Sequence, residues 1–256
     1  MSLNIIILAA GNGKRMHSEL PKVMHKVGGK TMLEHVLISA KGLNPKSINV
    51  VINPKIENIK NSFKDYNIDW YNQLEQKGTA DAVKIVLPNL GEKEKVLILY
   101  ADTPLINTLL LEKFIKYMPK SSVKVLTVEL NDPYGYGRII REQAEEENIS
   151  KIIEETEADD TQRNIKECNT GIIFSDVITL QNLISEVKNE NSKKEFYLTD
   201  IVSIANNKGL TVAPLLSKDF NSLLGVNDKC QLEKTEQIYQ NEKRINFLEQ
   251  GVTMLD

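Results

Sequence analysis

Short apolar runs alternate with segments of helical periodicity over the first hundred residues of this chain. The runs predict buried strands at 4–10, 48–52, 68–71 and 96–100. Apolar residues at helical spacing predict intervening helices at 32–40, 56–63 and 80–87. Strands joined by helices in this way form right-handed crossovers and a largely parallel sheet. The sequence therefore predicts an α/β fold whose ligands meet the carboxyl ends of the strands, in loops beginning at Ala10, Asn72 and Ala101.

Beyond residue 119 the pattern is less regular and predicts mixed strand pairing. Further strands are expected at 123–130, 138–141, 149–153 and 171–174. The acidic stretches 142–147 and 154–160 are typical of solvated loops or hairpin tips, with Glu154 treated separately below. Residues 228–250 have an apolar face and a charged opposite face, which predicts one long amphipathic helix packed against another part of the protein.

The composition excludes several classes of protein. With 32 Lys and Arg against 35 Asp and Glu, the net charge of −3 lacks the basic field typical of nucleic-acid binding. Cys168 and Cys230 have no metal-ligand spacing and point to a reducing compartment. The first apolar run is too short to span a membrane, and no basic segment precedes it. We therefore expect a soluble, cytoplasmic protein that binds neither nucleic acid nor membranes.

The glycine turn after the first strand, residues 11–13, lies where α/β proteins bind phosphate. It is not a dinucleotide fingerprint, which needs glycine in place of Met16, and it does not have P-loop spacing. Its backbone N–H groups can approach an anion, and five cations follow it: Lys14, Arg15, Lys22, Lys26 and Lys30. A solvated basic loop is the alternative. If phosphate binds here, Arg15 matters most, because its planar guanidinium keeps its charge and matches phosphate oxygens.

Three polar residues elsewhere are candidates with competing explanations. Asp102 follows an apolar strand, where its carboxylate suits Mg²⁺ but could equally serve a turn. Gln73 lies in a strand-end loop and could match a base edge or be simply exposed. Asn227, taken alone, suits the N-cap of the last helix. Three histidines lack ligand spacing and a nucleophilic partner, so structural or surface positions are expected for His17, His25 and His35.

Several motifs carry a family resemblance. Leu8-Ala9-Ala10-Gly11-x-Gly13-x-Arg15-Met16, followed by Leu20-Pro21-Lys22, resembles the signature loop of sugar-nucleotide pyrophosphorylases, a loop that cytidylyl and guanylyl transferases share in variant forms. Further matches are Gln73-x-x-x-x-Gly78-Thr79-Ala80, Tyr100-Ala101-Asp102-x-Pro104-Leu105, Gly135-Tyr136-Gly137-Arg138, Cys168-Asn169-Thr170-Gly171-Ile172, Phe196-Tyr197-Leu198-Thr199-Asp200 and Gly225-Val226-Asn227. In this order they resemble the uridylyltransferase domain of the bacterial bifunctional N-acetylglucosamine-1-phosphate uridyltransferases, over almost the whole chain.

The resemblance implies a Rossmann-like three-layer nucleotidyltransferase fold with a mixed, mostly parallel central sheet and a long C-terminal helix. It implies a nucleotidyltransferase domain over residues 1–227 and a linker helix over 228–256. The family's left-handed β-helix half is expected to be absent, and acetyltransferase activity with it; the oligomeric state stays open. Lys14 and Ala101 depart from the family pattern, in which a small hydroxyl residue and a glycine are common, without removing a proposed functional side chain.

The implied reaction is uridylyl transfer from UTP to N-acetylglucosamine 1-phosphate with Mg²⁺ as cofactor. By the resemblance, the uridine is held by Leu8, Ala9, Ala10, Gly11, Gln73, Gly78 and Thr79, and the nucleotide path includes Tyr100, Ala101 and Asp102. The sugar pocket comprises Gly137, Glu154, Asn169 and Thr199, with Glu155 as the alternative to Glu154. Asp102 and Asn227 bind the metal, and Arg15 and Lys22 contribute positive charge.

Two other functions remain open. The first is a related pyrophosphorylase that uses another base or sugar phosphate, which a nucleotide-preference assay would distinguish. The second is a catalytically silent module that binds nucleotide or nucleotide-sugar. The joint presence of Arg15, Lys22, Asp102 and Asn227 argues against this module, because a silent copy needs no set of metal ligands and cations.

Overall fold

The computed structural model describes residues 2–118, 120–141 and 148–254, so the acidic stretch 142–147 lies outside the described residues. The strands are β1 (Leu3–Ala9), β2 (Lys26–Val27), β3 (Lys30–Thr31), β4 (Ser47–Ile52), β5 (Asp69–Asn72), β6 (Lys95–Tyr100), β7 (Val123–Glu129), β8 (Arg138–Ile140), β9 (Lys151–Ile153), β10 (Glu167–Asp176) and β11 (Val212–Ser217). The α-helices are α1 (Met32–Lys41), α2 (Thr79–Val86), α3 (Thr108–Lys116), α4 (Asp160–Arg163), α5 (Val177–Ile184), α6 (Asp200–Asn207) and α7 (Lys229–Glu249).

The central sheet is mixed. Its main path runs β11-β7-β10-β6-β1-β4-β5, with β8 and β9 attached beside β10. Strands β6, β1, β4 and β5 are parallel, and so are β7 and β11, whereas β10 runs antiparallel to both of its neighbours on this path. The carboxyl ends of β1, β5 and β6 therefore lie at one edge of the sheet, so the three loops expected to carry ligands start there.

Helices cover both faces of the sheet, because successive side chains along each strand point to opposite faces and both faces are apolar. Ile6 and Leu8 of β1 pack in a core that includes α2, α5 and α6. Ile5 and Ile7 pack in a second core with α1, α3 and the 3-10 segment Pro54–Phe63. This arrangement confirms the predicted three-layer α/β architecture with a mixed, mostly parallel sheet.

Several elements differ from the sequence-based expectation. The segment at 56–63 is 3-10 rather than α-helical, and Ile56 at φ −114° and ψ 21° interrupts its helical geometry. The expected strand 171–174 is part of the longer β10, whose register shifts between Asn169 and Ile173. Gly171 lies in this irregularity at φ 81°. The apolar patterns did not predict α3, α5, α6 or β11, which all lie beyond residue 107 and whose apolar periodicity is short.

The last helix begins as predicted, but its distal part is exposed. Asp228, not Asn227, is the N-cap, and its side chain accepts a hydrogen bond from the backbone N–H of Gln231. Tyr239 packs against the β2–β3 hairpin and lies edge-on to His35, with ring centroids 5.5 Å apart. Ile245 and Leu248 are 45% exposed, so the expectation that the whole apolar face packs is wrong for the distal part. The boundary between residues 227 and 228 as a domain limit stays a prediction.

Among the described residues, no helix has the length and apolar character needed to span a membrane.

Candidate active site

The loops after β1 and β6 enclose a cavity of about 180 Å³ at the carboxyl edge of the sheet. Its lining is Leu8, Ala9, Ala10, Gly11, Lys22, Val23, Thr79, Ala82, Tyr100 and Asp102. Residues from four separate stretches of chain meet here because β1 and β6 are parallel neighbours and α2 begins beside them. Seven of the expected nucleotide-binding residues therefore line one cavity, and an eighth, the buried Ala101, directly follows β6.

Lys22, Asp102 and Asn227 form a charged cluster at this cavity. The Lys22 Nζ atom lies 2.5 Å from Asp102 Oδ2 and 2.7 Å from Asn227 Oδ1. The backbone N–H of Val226 donates to the Asp102 carbonyl at 2.8 Å, which ties the segment before α7 to the loop after β6. Three residues that are far apart in the sequence are thus brought into direct contact.

The donor set of this cluster suits a hard divalent cation. One carboxylate oxygen and one amide oxygen converge on the same point, and Mg²⁺ takes few protein ligands and completes its shell with water and phosphate. No group of three or more His, Cys, Asp or Glu side chains within the described ranges could hold a metal by itself. Asp102 and Asn227 therefore fit a metal that shares its coordination shell with a bound ligand.

Arg15 lies in the exposed 3-10 turn Lys14–Met16 that follows the glycine turn. Met16 is buried beneath this turn, and Gly13 adopts φ 59°. A Cβ atom on Gly13 would lie 2.7 Å from the Lys22 Cβ, so the glycine permits close packing of the turn against Lys22. The cation-rich loop is therefore held by Met16 and Lys22 while the Arg15 side chain is exposed.

The turn before α2 is held by the segment 196–198. Gly78 has φ 121°, and a Cβ there would lie 2.4 Å from the Phe196 carbonyl oxygen. The backbone N–H of Ala80 donates to that carbonyl at 3.0 Å. The Thr79 Oγ1 atom accepts a hydrogen bond from the Leu198 N–H at 2.9 Å. Glycine is required at position 78 because both the φ value and the backbone contact exclude a side chain.

Gln73 is buried but is not part of the cavity lining. Its Nε2 donates to the Gly78 carbonyl at 3.0 Å and to Asp81 Oδ2 at 2.9 Å. The amide therefore stabilises the turn before α2, and the interpretation of Gln73 as merely exposed is wrong. Gln76, which the sequence analysis missed, donates through Nε2 to the Ala10 carbonyl at 2.5 Å and thereby joins the turns after β1 and β5.

The four residues expected in the sugar pocket form two contacting pairs. The Thr199 hydroxyl donates to Glu154 Oε1 at 2.8 Å. The Asn169 N–H donates to the Gly137 carbonyl at 2.8 Å. Glu154 lines a second cavity, of about 380 Å³, rather than the first. Burial, followed by the nearby Glu154 charge, raises the pKa of the Tyr100 phenol. Tyr100, which lines the first cavity, therefore lies close to a residue of the expected sugar pocket as well.

Glu154 and Glu155 have different environments. Glu155 Oε2 lies 2.8 Å from the Arg138 guanidinium and accepts a hydrogen bond from the Gly135 N–H. Arg138 is buried, so Glu155 is engaged in a structural ion pair. Burial raises the pKa of the Glu154 carboxyl, and its described partner is a hydroxyl rather than a cation. This difference favours Glu154 over Glu155 as a ligand-binding residue.

Residues 5–163 match the family described as the MobA-like NTP transferase domain. The chain belongs to this family. It is 39% identical to the bifunctional protein GlmU of Idiomarina loihiensis over 256 residues, which is 100% of this chain and 56% of the relative. Identity to the bifunctional protein GlmU of Buchnera aphidicola is also 39%, over 99% of this chain and 54% of the relative. The resemblance based on the motifs is confirmed, and the chain spans about half the length of these curated relatives.

A solved structure shares the fold of this NTP transferase. A UDP-glucose pyrophosphorylase complexed with UDP-glucose superposes with a TM-score of 0.72 at 17% identity, covering 94% of this chain and 100% of the other. The likeness confirms the nucleotidyltransferase fold predicted from the motifs.

The histidines of this NTP transferase have structural environments. A ring nitrogen of His35 lies 2.7 Å from the Val27 carbonyl oxygen, and His25 is buried. His17 is exposed in a left-handed conformation at φ 45°. These positions agree with the expectation of structural or surface roles.

Proposed function

We propose that this chain transfers the uridylyl group of UTP to N-acetylglucosamine 1-phosphate, giving UDP-N-acetylglucosamine and pyrophosphate. The product would supply cell-wall and lipopolysaccharide synthesis. One observation carries the reaction class: Lys22, Asp102 and Asn227 form a cluster of charged and polar groups beside the cavity bounded by residues 8–11. The choice of substrates rests on the similarity to GlmU along the whole chain. We expect the reaction in the cytoplasm, in keeping with the free thiols of Cys168 and Cys230.

The cavity suits the nucleotide. Leu8, Ala9, Ala10, Gly11 and Thr79 are among the residues that line it. Gln73 contributes by holding Gly78, and Tyr100 and Ala101 bring the end of β6 to the cavity. Backbone groups at these turns can match the edge of a uracil ring and exclude a larger base.

The pairs Glu154–Thr199 and Gly137–Asn169 suit the sugar. Carboxylate, hydroxyl and amide groups hydrogen-bond to sugar hydroxyls and to an acetamido group. The absence of a side chain at Gly137 lets the chain pack closely against β9, since a Cβ there would lie 3.1 Å from the Ile152 side chain. Glu155 is not included, because Arg138 engages it.

The chemistry needs no general base. A sugar phosphate with a second pKa of about 6 is mostly a dianion at neutral pH. One of its oxygens attacks the α-phosphorus of UTP in line, the bond from that phosphorus to the bridging oxygen breaks, and pyrophosphate leaves. Arg15 and Lys22 hold the two repelling anions together and stabilise the developing negative charge. Mg²⁺, held by Asp102 and Asn227, would supply further positive charge to the phosphate oxygens.

The test is pyrophosphate release from UTP with N-acetylglucosamine 1-phosphate and Mg²⁺. Glucose 1-phosphate replaces the sugar in one control, and CTP, GTP and dTTP replace UTP in others. Release confined mainly to UTP with the N-acetyl sugar supports the proposal. Release with another combination of nucleotide and sugar phosphate would indicate a related pyrophosphorylase that uses the same mechanism. No release from folded protein would favour a silent binding module.

A further inference from the structure

The Lys22 ammonium lies at the point where the proposed metal ligands converge. Its Nζ contacts both Asp102 Oδ2 and Asn227 Oδ1, at 2.5 and 2.7 Å. The side chain of Lys22 is 11% exposed and that of Asp102 22% exposed, so water screens this contact only in part. A divalent cation using the same two oxygens would lie within a few ångströms of the ammonium, and two cations that close repel each other strongly.

We infer that Lys22 is a resident counter-cation of the metal ligands, so that a divalent cation binds by displacing its ammonium group. The inference rests on the proposed function in one respect, the use of Asp102 and Asn227 as metal ligands. Before displacement, the ammonium neutralises the Asp102 carboxylate and holds the Asn227 amide oxygen toward it. The two ligands are thereby held together although they lie in separate loops.

The displaced ammonium has a second position within reach. Lys22 lines the cavity bounded by Leu8–Gly11, and it also lines a second cavity of about 160 Å³, whose lining shares Ala9, Gly11 and Val23 with the first. Its backbone is fixed in the 3-10 segment Lys22–Met24, where the Lys22 carbonyl accepts a hydrogen bond from the His25 N–H. Only the flexible side chain has to move, from Asp102 toward phosphate oxygens of a bound nucleotide.

This exchange couples metal binding to nucleotide binding. Without nucleotide, the metal must separate Lys22 from its two partners and leave the ammonium without an anion. With a triphosphate present, the same ammonium gains a charge-assisted contact and no longer competes. The two ligands therefore increase each other's affinity by the same factor.

Mn²⁺ binding to the whole chain tests the inference without measuring turnover. Free Mn²⁺ is followed by electron paramagnetic resonance, alone and with a UTP analogue whose α,β-bridging oxygen is replaced by methylene. Lys22→Met is compared with wild type, and Lys26→Met is the matched control, since it removes an exposed lysine four residues further along the chain, in β2. Thermal melting checks that each variant is folded.

We expect Lys22→Met to bind Mn²⁺ without nucleotide about tenfold or more tightly than wild type, because the competing charge is gone. The analogue should raise Mn²⁺ affinity strongly in wild type and Lys26→Met, and much less in Lys22→Met. Equal or weaker Mn²⁺ binding by folded Lys22→Met would overturn the inference, as would the absence of Mn²⁺ binding to wild type and Lys22→Met alike.

Asp102→Asn separates this inference from the proposed function. If Asp102→Asn loses Mn²⁺ while Lys22→Met gains no affinity, the metal site stands and the exchange is wrong. If Asp102→Asn binds Mn²⁺ as wild type does, the proposed metal ligand is itself wrong, and the inference fails with it.

Discussion

Single charged residues in and around the candidate active site have separable tasks. Arg15 is exposed, whereas Lys22 and Asp102 form an ion pair. Glu154 and Glu155 are neighbours in the chain, yet one contacts a hydroxyl and the other a buried guanidinium. Substitutions at this scale should therefore affect rate, affinity or stability selectively.

Arg15→Ala should lower kcat on the order of 10²-fold or more, the scale of removing one group that stabilises charge in the transition state. Because the side chain is exposed, the melting temperature should stay close to that of wild type. Pyrophosphate release with saturating UTP and sugar phosphate measures kcat, and Lys26→Met serves as the control for loss of one exposed cation. A kcat within threefold of wild type would contradict the role of Arg15.

Glu154→Gln and Glu155→Gln should have opposite profiles. Glu154→Gln should raise the KM for the sugar phosphate about tenfold, the effect of weakening one charged hydrogen bond, with little loss of stability. Glu155→Gln should cost about 1–3 kcal/mol, because buried Arg138 loses its charged partner, with a nearly unchanged KM. Steady-state kinetics and urea unfolding of both variants measure the two effects. A reversed pattern would assign the sugar to Glu155.

Acidic groups from different segments surround the start of α6. Asp200 begins this helix directly after Thr199, and burial, followed by the charges of Glu154 and Glu157, raises the pKa of Asp200 to about 6. The folded protein therefore holds a proton on this carboxyl at pH values where the unfolded chain has released it. The stabilising contribution is fully present below the unfolded pKa of 3.8 and is lost as the pH rises through about 6.

Asp200→Asn removes the titrating carboxyl group from the start of α6. We expect the melting temperature of the variant, relative to wild type, to be higher at pH 8 than at pH 5, because only wild type must carry a partly buried charge at position 200 at pH 8. Calorimetric melts of both proteins at the two pH values measure the difference. A relative melting temperature that is the same at pH 5 and pH 8, or lower at pH 8, would show that Asp200 does not titrate in this range.

At the scale of the whole molecule, the start of α7 is joined to the active-site loops, whereas the distal part of the helix is exposed. Tyr239 contacts Gly28 of the hairpin so closely that a Cβ on Gly28 would lie 2.0 Å from its ring. The Gly28 N–H donates to Glu236 Oε2 at 2.7 Å. Phe247, two helical turns further on, is 46% exposed. The proximal part of α7 is therefore part of the folded core.

Tyr239→Ala should destabilise the protein by about 2 kcal/mol, the cost of removing a partly buried aromatic ring and its edge contact with His35. For a chain of this length, that corresponds to a fall in melting temperature of roughly 4–8 °C. Phe247→Ala is the matched control and should change stability by less than about 0.5 kcal/mol. Equal losses for both variants would mean that distal α7 is packed in solution.

The sequence determined the α/β frame, the positions of the strand-end loops and the family, because apolar periodicity, glycine turns and motif order are local properties of the chain. Its predictions were poorest where elements depend on distant partners, as in β11, which pairs with β7, and β10, which is irregular around Gly171. Local periodicity is weak in such elements, since packing against neighbours supplies most of their stability.

The family motifs by themselves imply that Asp102 and Asn227 bind the same metal, but only the tertiary structure decided which side chains are in direct contact. Lys22 contacts Asp102 and Asn227 across separations of 80 and 205 residues, and Gln76 joins two turns that are 66 residues apart. The same is true of Glu155, whose partner Arg138 comes from β8. These contacts follow from the order and pairing of the strands and from the packing of distant segments against them, which no local pattern in the chain encodes.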